Sequence, residues 1–175
     1  KGYERLLEVF ARVAPTAKNL RLIFAGRGEL VARLRDKAQQ AGLADRVFFT
    51  GMVHEGDLPD VYRCAGIFSL ISDRGLGTGE GIPLTPLEAA ACGIPIMVGN
   101  QDGSQEAVME GVNGHIFDPF DPEAQGKALL ELVADPERRA AMGRAARVRI
   151  ENEFAYPMFL EKHRQLFAEL LPQIR

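Results

Sequence analysis

Apolar and polar positions alternate in two rhythms along the first two-thirds of the chain. Short apolar runs of strand length fall at 20–25, 47–50, 66–70, 95–98 and 115–117. Between them lie segments with helical spacing, at 2–14, 29–41, 57–65, 86–92 and 104–110. The first helix shows the pattern well, with Tyr3, Leu6, Leu7, Phe10 and Val13 on one face. Short strands alternating with helices predict an α/β fold, a Rossmann-like parallel sheet buried on both sides by helices. In such sheets ligands bind beyond the carboxyl ends of the strands, so function is expected in the loops after Ala25, Thr50, Leu70 and Val98.

After Phe117 the rhythm becomes wholly helical, with helices predicted at 122–134, 136–151 and 156–171. Asp-Pro and Tyr-Pro pairs mark where they start, since proline suits the first helical turn. The expected organisation is a binding domain over 1–151 and a helical tail over 152–175. The arginines between Arg138 and Arg149 read as a solvated helix face, because acidic residues flank them. The chain enters a helix directly after Lys1-Gly2, without an initiator methionine, and reads as a piece of a longer protein.

Composition narrows the field. At 175 residues, 46% hydrophobic and 26% charged, the chain can bury a real core. A net charge of -3 gives no reason to expect nucleic acid or an anionic membrane as main partner. Cys64 and Cys92, the only cysteines, sit alone in apolar surroundings and read as buried, reduced thiols of a cytoplasmic protein. No apolar run approaches the roughly 20 residues that span a bilayer; peripheral contact at a membrane stays open.

Three stretches carry candidate chemistry. Ala25-Gly26-Arg27-Gly28 follows the first strand and opens a helix. A Gly-x-Gly there lets backbone approach a phosphate, although a tight turn facing the cleft explains Gly26 and Gly28 equally well. Val31 stands where a dinucleotide fingerprint has its third glycine, and the second strand ends in Thr50-Gly51 without the expected acid. A nicotinamide-dependent oxidoreductase is therefore disfavoured. The second stretch, "LISDRGLGTGE" at 70–80, is a glycine-rich loop after a strand, shaped around something or simply a surface loop.

The third is "EGIPLTPLEAAACGIP" at 80–95. Thr85-Pro86-Leu87-Glu88 has the form of a capping box, with threonine at the N-cap and Glu88 reaching back to it. That accounts for Glu88 but not for Glu80 or the glycines before it. Free N–H groups at Leu84 and Thr85, with the helix dipole, favour a phosphate. A carboxylate at each end suits sugar hydroxyls. Together these describe a sugar-nucleotide site.

Glu80 and Glu88 form an E-x7-E pattern, and "EGIPLTPLEAAACGIPIMVG" resembles the donor-binding segment of retaining glycosyltransferase family 4. That segment usually runs Glu-Gly-Phe-Gly, an aliphatic stretch, then Glu-Ala-Met-Ala-Cys-Gly-x-Pro-Val. Lys1-Gly2, "LIFAGRGEL" at 22–30, "RVFFTGMV" at 46–53, "LPDVYRCAGIF" at 58–68 and "SQEAVMEGVNGHIFDPFDPE" at 104–123 follow in the family's order. The likeness fades in the helical tail.

The resemblance implies the carboxy-terminal, donor-binding half of a two-domain GT-B enzyme that moves a hexose from a nucleoside-diphosphate sugar to a hydroxyl acceptor, mannosyl- or glucosyltransferase-like. By the same resemblance Glu80 contacts the transferred sugar and Glu88 the ribose. The turn Gly81-Ile82-Pro83-Leu84-Thr85 holds the diphosphate, helped by Lys1, and Gly51, Met52, Val53 and Leu58 surround the base. The acceptor, a glycan, lipid or small molecule, belongs to the other half, so this piece alone is expected to transfer nothing. Ile82-Pro83 departs from the family's Phe-Gly, and Pro83 has no N–H to offer. The family's first strand is not among these residues, which predicts a gap between the strands at 20–25 and 66–70. His54 and His115 lack metal-spaced partners and there is no Asp-x-Asp, so metal-independent chemistry without a cofactor is expected. A sugar-nucleotide epimerase, a phosphorylase of the same architecture and a non-catalytic scaffold domain remain as alternatives.

Overall fold

The computed structural model describes residues 2–73 and 81–171. Helix α1 (Tyr3–Val13) is the hinge of the packing, because it buries two faces at once. Leu7 and Phe10, with Ala14 just beyond it, pack with Phe24, Leu34, Ala38 and Val47. Val9 and Val13, a quarter-turn away, pack with Met97, Phe117, Leu129 and Leu132. Phe10 and Val9 are each 1% exposed, and burying such side chains contributes about 1.5–3 kcal/mol apiece. Arg46 closes the segment after α1: its guanidinium donates to the carbonyls of Ala14 (2.9 Å), Ala17 (2.6 Å) and Leu20 (2.9 Å).

The two clusters correspond to two parallel sheets. β1 (Leu22–Phe24) pairs with β2 (Val47–Phe49), with Leu22 opposite Val47. β3 (Phe68–Leu70), β4 (Ile96–Gly99) and β5 (Gly114–Phe117) form the second sheet in the order β3-β4-β5. β1 and β3 belong to different sheets, so the gap expected between them is present. Helix α1 spans it.

The central strand β4 is buried throughout, as a doubly covered strand should be. Its alternate side chains separate cleanly. Ile96 and Val98 face a cluster containing Ala89 and Ala90 of α4 (Leu84–Ala91) and Ala146 of α6 (Pro136–Arg149). Met97 faces α1 and α5 (Pro122–Ala134). The first sheet differs from expectation: Ile23 and Phe48 are 44% and 48% exposed. Helices α1 and α2 (Leu30–Gln40) both pack with Phe24 and Val47, and the opposite face is uncovered among the described residues.

The proline-marked starts behave as the sequence predicts. Asp121 caps α5 by accepting from Ala124 N–H, and Asp135 caps α6 by accepting from Arg138 N–H, each at 2.9 Å. The arginines of α6 are not simply solvated. Arg147 donates to Ala91 O at the end of α4 (2.5 Å), and Arg149 donates to Glu106 O (2.8 Å), satisfying carbonyls that a helix or turn leaves without partners. A turn of π-helix (Ile150–Phe154) then leads to α7 (Tyr156–Leu170), which buries no side chain. The expectation of two buried thiols needs correcting: Cys64, just after α3 (Leu58–Arg63), is exposed, and Cys92 is half-buried. Among the described residues no helix is long and apolar enough to cross a membrane.

Candidate functional site

Among the described residues, the loops singled out by sequence follow the strands of both sheets. Beyond β1 and β2, Gly26 takes a φ of 115° and Gly51 a φ of 69°, conformations that L side chains rarely adopt. Gly26 N–H donates to Gly51 O (3.0 Å) and to Thr50 Oγ1 (3.3 Å), which ties the two loops together. Side chains added at Gly26, Gly28 or Gly51 would meet open space, so these glycines line a surface with room beside it. Met52 projects from the same place, 69% exposed. Val53 and Leu58 are half-buried. His54 turns to local work, its Nδ1 accepting from Gly56 N–H (3.2 Å). His115 pairs with Glu110 at 2.5 Å on β5.

Beyond β3 and β4 the backbone is packed closely. Gly99 lies against Ser72, where a Cβ would come within 2.7 Å of the Ser72 carbonyl oxygen. Gly2, at the N-cap of α1 with a φ of 70°, lies so close to Ile71 that a Cβ would sit 2.1 Å from its carbonyl oxygen. Arg5 then pairs with Asp73 at 2.6 Å, with both side chains about three-quarters buried (28% and 24% exposed). The start of α1 is thereby fixed against the segment that enters the glycine-rich loop. Lys1 and Glu80, the two candidate catalytic residues, lie outside the described residues.

Helix α4 begins two residues earlier than the capping-box reading requires. Pro83, not Thr85, is the N-cap, with φ −63° and ψ 139°, and no side chain caps the helix. The proline ring fixes the extended entry, so Thr85 is already helical and Glu88 falls too far along to reach back. Of the first four N–H positions of a helix, two here are prolines, Pro83 and Pro86, which have none. Leu84 and Thr85 are left as the two backbone donors at the tip, and both residues are exposed. Pro83 and Pro86 are buried and anchor the turn from beneath, while Gly81 and Ile82 are exposed before it.

Glu88 has a partner that the sequence pattern does not suggest. Tyr62 of α3 donates its phenolic hydrogen to Glu88 Oε2 at 2.7 Å. Burial, and then the neighbouring carboxylate, push the Tyr62 phenol well above its ordinary range, so it stays a donor. The bond fixes one oxygen of Glu88 and leaves the other for a further donor. It also joins α3, which follows the Gly51–Val53 loop, to α4. The signal available in sequence was slight: Tyr62 stands four residues after Leu58, on one face of a short helix.

Residues 1–149 match the family described as glycosyl transferases group 1. The chain belongs to that family. Among its relatives, a GDP-mannose-dependent alpha-(1-6)-phosphatidylinositol monomannoside mannosyltransferase of Mycolicibacterium smegmatis is 34% identical over 149 residues, covering 84% of this chain and 39% of the relative. Mannosylfructose-phosphate synthase of Agrobacterium fabrum is 33% identical over 139 residues, covering 75% of this chain and 30% of the relative. The chain thus spans well under half the length of these relatives. Anabaena HepE, solved in complex with UDP-glucose, superposes with a TM-score of 0.79 over 99% of this chain and 45% of its own, at 24% identity. At that identity the likeness speaks for the fold, a GT-B glycosyltransferase carboxy-terminal domain.

Proposed function

We propose that this chain is the donor-binding part of a retaining hexosyltransferase that uses a nucleoside-diphosphate sugar. The observation that carries the reading is the tip of α4: two backbone donors without a partner among the described residues, framed by prolines and approached through Gly81, stand next to a glutamate held by Tyr62. Those amides and the helix dipole suit a diphosphate, and each hydrogen bond to a charged group is worth about 1.5–3 kcal/mol. In the reaction the same donors would stabilise charge on the departing diphosphate, with Lys1 adding a cation. Glu80 would orient the hexose through its hydroxyls, and Glu88 would accept from the ribose with the oxygen Tyr62 leaves open. Gly51, Met52, Val53 and Leu58 would flank the base. This division of roles requires no metal ion or other cofactor. The relative named for GDP-mannose and the neighbour solved with UDP-glucose support a nucleotide-sugar donor. Acceptor recognition would fall to parts of the protein beyond this chain, including any peripheral contact with a membrane from the cytoplasmic side.

The test is product analysis with the intact protein, offering GDP-mannose and UDP-glucose with candidate acceptors in the presence of a chelator. Release of nucleoside diphosphate matched by a glycoside of unchanged anomeric configuration is the expected result. An isomerised sugar nucleotide, or release that depends on inorganic phosphate, would replace transfer with epimerisation or phosphorolysis.

A further inference from the structure

The loop after β4 meets the turn before α4 closely at Gly103. Gly103 N–H donates to Gly81 O at 2.9 Å. A Cβ at Gly103 would lie 2.5 Å from that same oxygen, 2.8 Å from its carbon and 3.0 Å from Ile82 Cγ1. The backbone of Gly103 is outside the positive-φ region, so the demand for glycine is one of space and not of conformation. Its own position is firmly set. Asp102 accepts from Ser104 N–H (2.9 Å) and from the Ser104 hydroxyl. Asp102 is 8% exposed and Ser104 is fully buried. The turn of 3-10 helix that follows (Gly103–Ala107) ends on Ala107, also fully buried.

By contrast, the segment resting on it is the exposed one. Gly81 and Ile82 are open to solvent and lead directly through Pro83 to the donors of Leu84 and Thr85. We propose that Gly103 is a positioning residue for the diphosphate cradle: it sets the height of the Gly81-Ile82 turn, and thereby the aim of the Leu84 and Thr85 N–H groups. This rests on the donor-site reading above. It acts through the turn and does not itself touch the nucleotide.

A methyl group at Gly103 must push the turn outward, because the surface that carries it is anchored in the core. A displacement of a positioning element by about 1 Å can cost on the order of a hundredfold in rate, so a tenfold or larger rise in the donor KM is a measurable expectation.

The experiment compares Gly103→Ala and Ser104→Ala with the parent, all in the intact protein. It reads calorimetric Kd for adenosine, guanosine and uridine diphosphates, donor and acceptor KM, and the thermal midpoint. Gly103→Ala should raise the Kd of the diphosphate the parent binds, and the donor KM, by at least roughly tenfold, with acceptor KM unchanged. Ser104→Ala, which loosens the anchor without crowding the turn, should shift the same two quantities in the same direction and by less. If Gly103→Ala does not fold, Ser104→Ala decides: an unchanged donor KM there overturns the brace. A parent that binds and a Gly103→Ala protein that binds equally well overturn the brace while the donor site stands. A parent that binds none of the diphosphates overturns both.

Discussion

Leu84→Pro in the intact protein is expected to weaken nucleoside-diphosphate binding by roughly ten- to a hundredfold, the equivalent of one hydrogen bond to a charged group. The thermal midpoint should move little. The substitution suits its position unusually well. Leu84 is the first residue of α4, where proline is favoured because its fixed φ matches the helix and its missing N–H has no intrahelical use. The residue before it, Pro83, is already extended at ψ 139°, as a residue preceding proline should be. The leucine side chain is 67% exposed, so little packing is lost. What remains is the removal of one of two backbone donors. Leu84→Ala keeps the N–H and is the control, expected to bind like the parent. Equal weakening in both variants would move the effect to the side chain and away from the cradle.

Glu80→Ala is expected to separate the two halves of the donor. If Glu80 orients the hexose and takes no part in holding the diphosphate, kcat for transfer should fall on the order of a hundredfold, the usual scale for losing a positioned reactant. The Kd for the sugar-free nucleoside diphosphate should stay within about twofold of the parent, since no contact worth more than a few tenths of a kcal/mol would be lost. Steady-state transfer and calorimetry on the same preparation give both numbers. Unchanged transfer would remove Glu80 from the reaction; a matching loss of diphosphate affinity would relocate it to the phosphate site.

The fold was readable because its signals are local. Strand runs such as 95–98 and helical stripes such as Tyr3, Leu7 and Phe10 depend on side-chain period alone, and the Asp-Pro starts of α5 and α6 carry their caps with them. The errors arose where two local rules competed or where a distant element decided. Thr85-Pro86-Leu87-Glu88 has the composition of a capping box, yet the fixed φ of Pro83 starts the helix sooner. The Tyr62–Glu88 bond joins residues 26 apart, and the contact of Gly103 with Gly81 joins two loops. Neither leaves a periodic trace. The exposed face of β1 and β2 was hidden for a related reason: apolar runs such as 22–24 look the same whether one face or both are covered.

The candidate site was legible at the level of its described parts. The glycine pair Gly26 and Gly51, the turn at 81–83 and the donors at Leu84 and Thr85 all stand at carboxyl ends of strands, where a parallel sheet places its ligand. What sequence could not supply was the support beneath them, since backbone packing such as Gly99 on Ser72 or Gly2 on Ile71 comes from tertiary proximity between segments far apart in the chain.

The most direct measurement is a calorimetric titration of the intact protein with adenosine, guanosine and uridine diphosphates, free of any sugar. The account predicts saturable binding of at least one, with one site per chain, lost in step with the Leu84 N–H. Failure of all three to bind would contradict it.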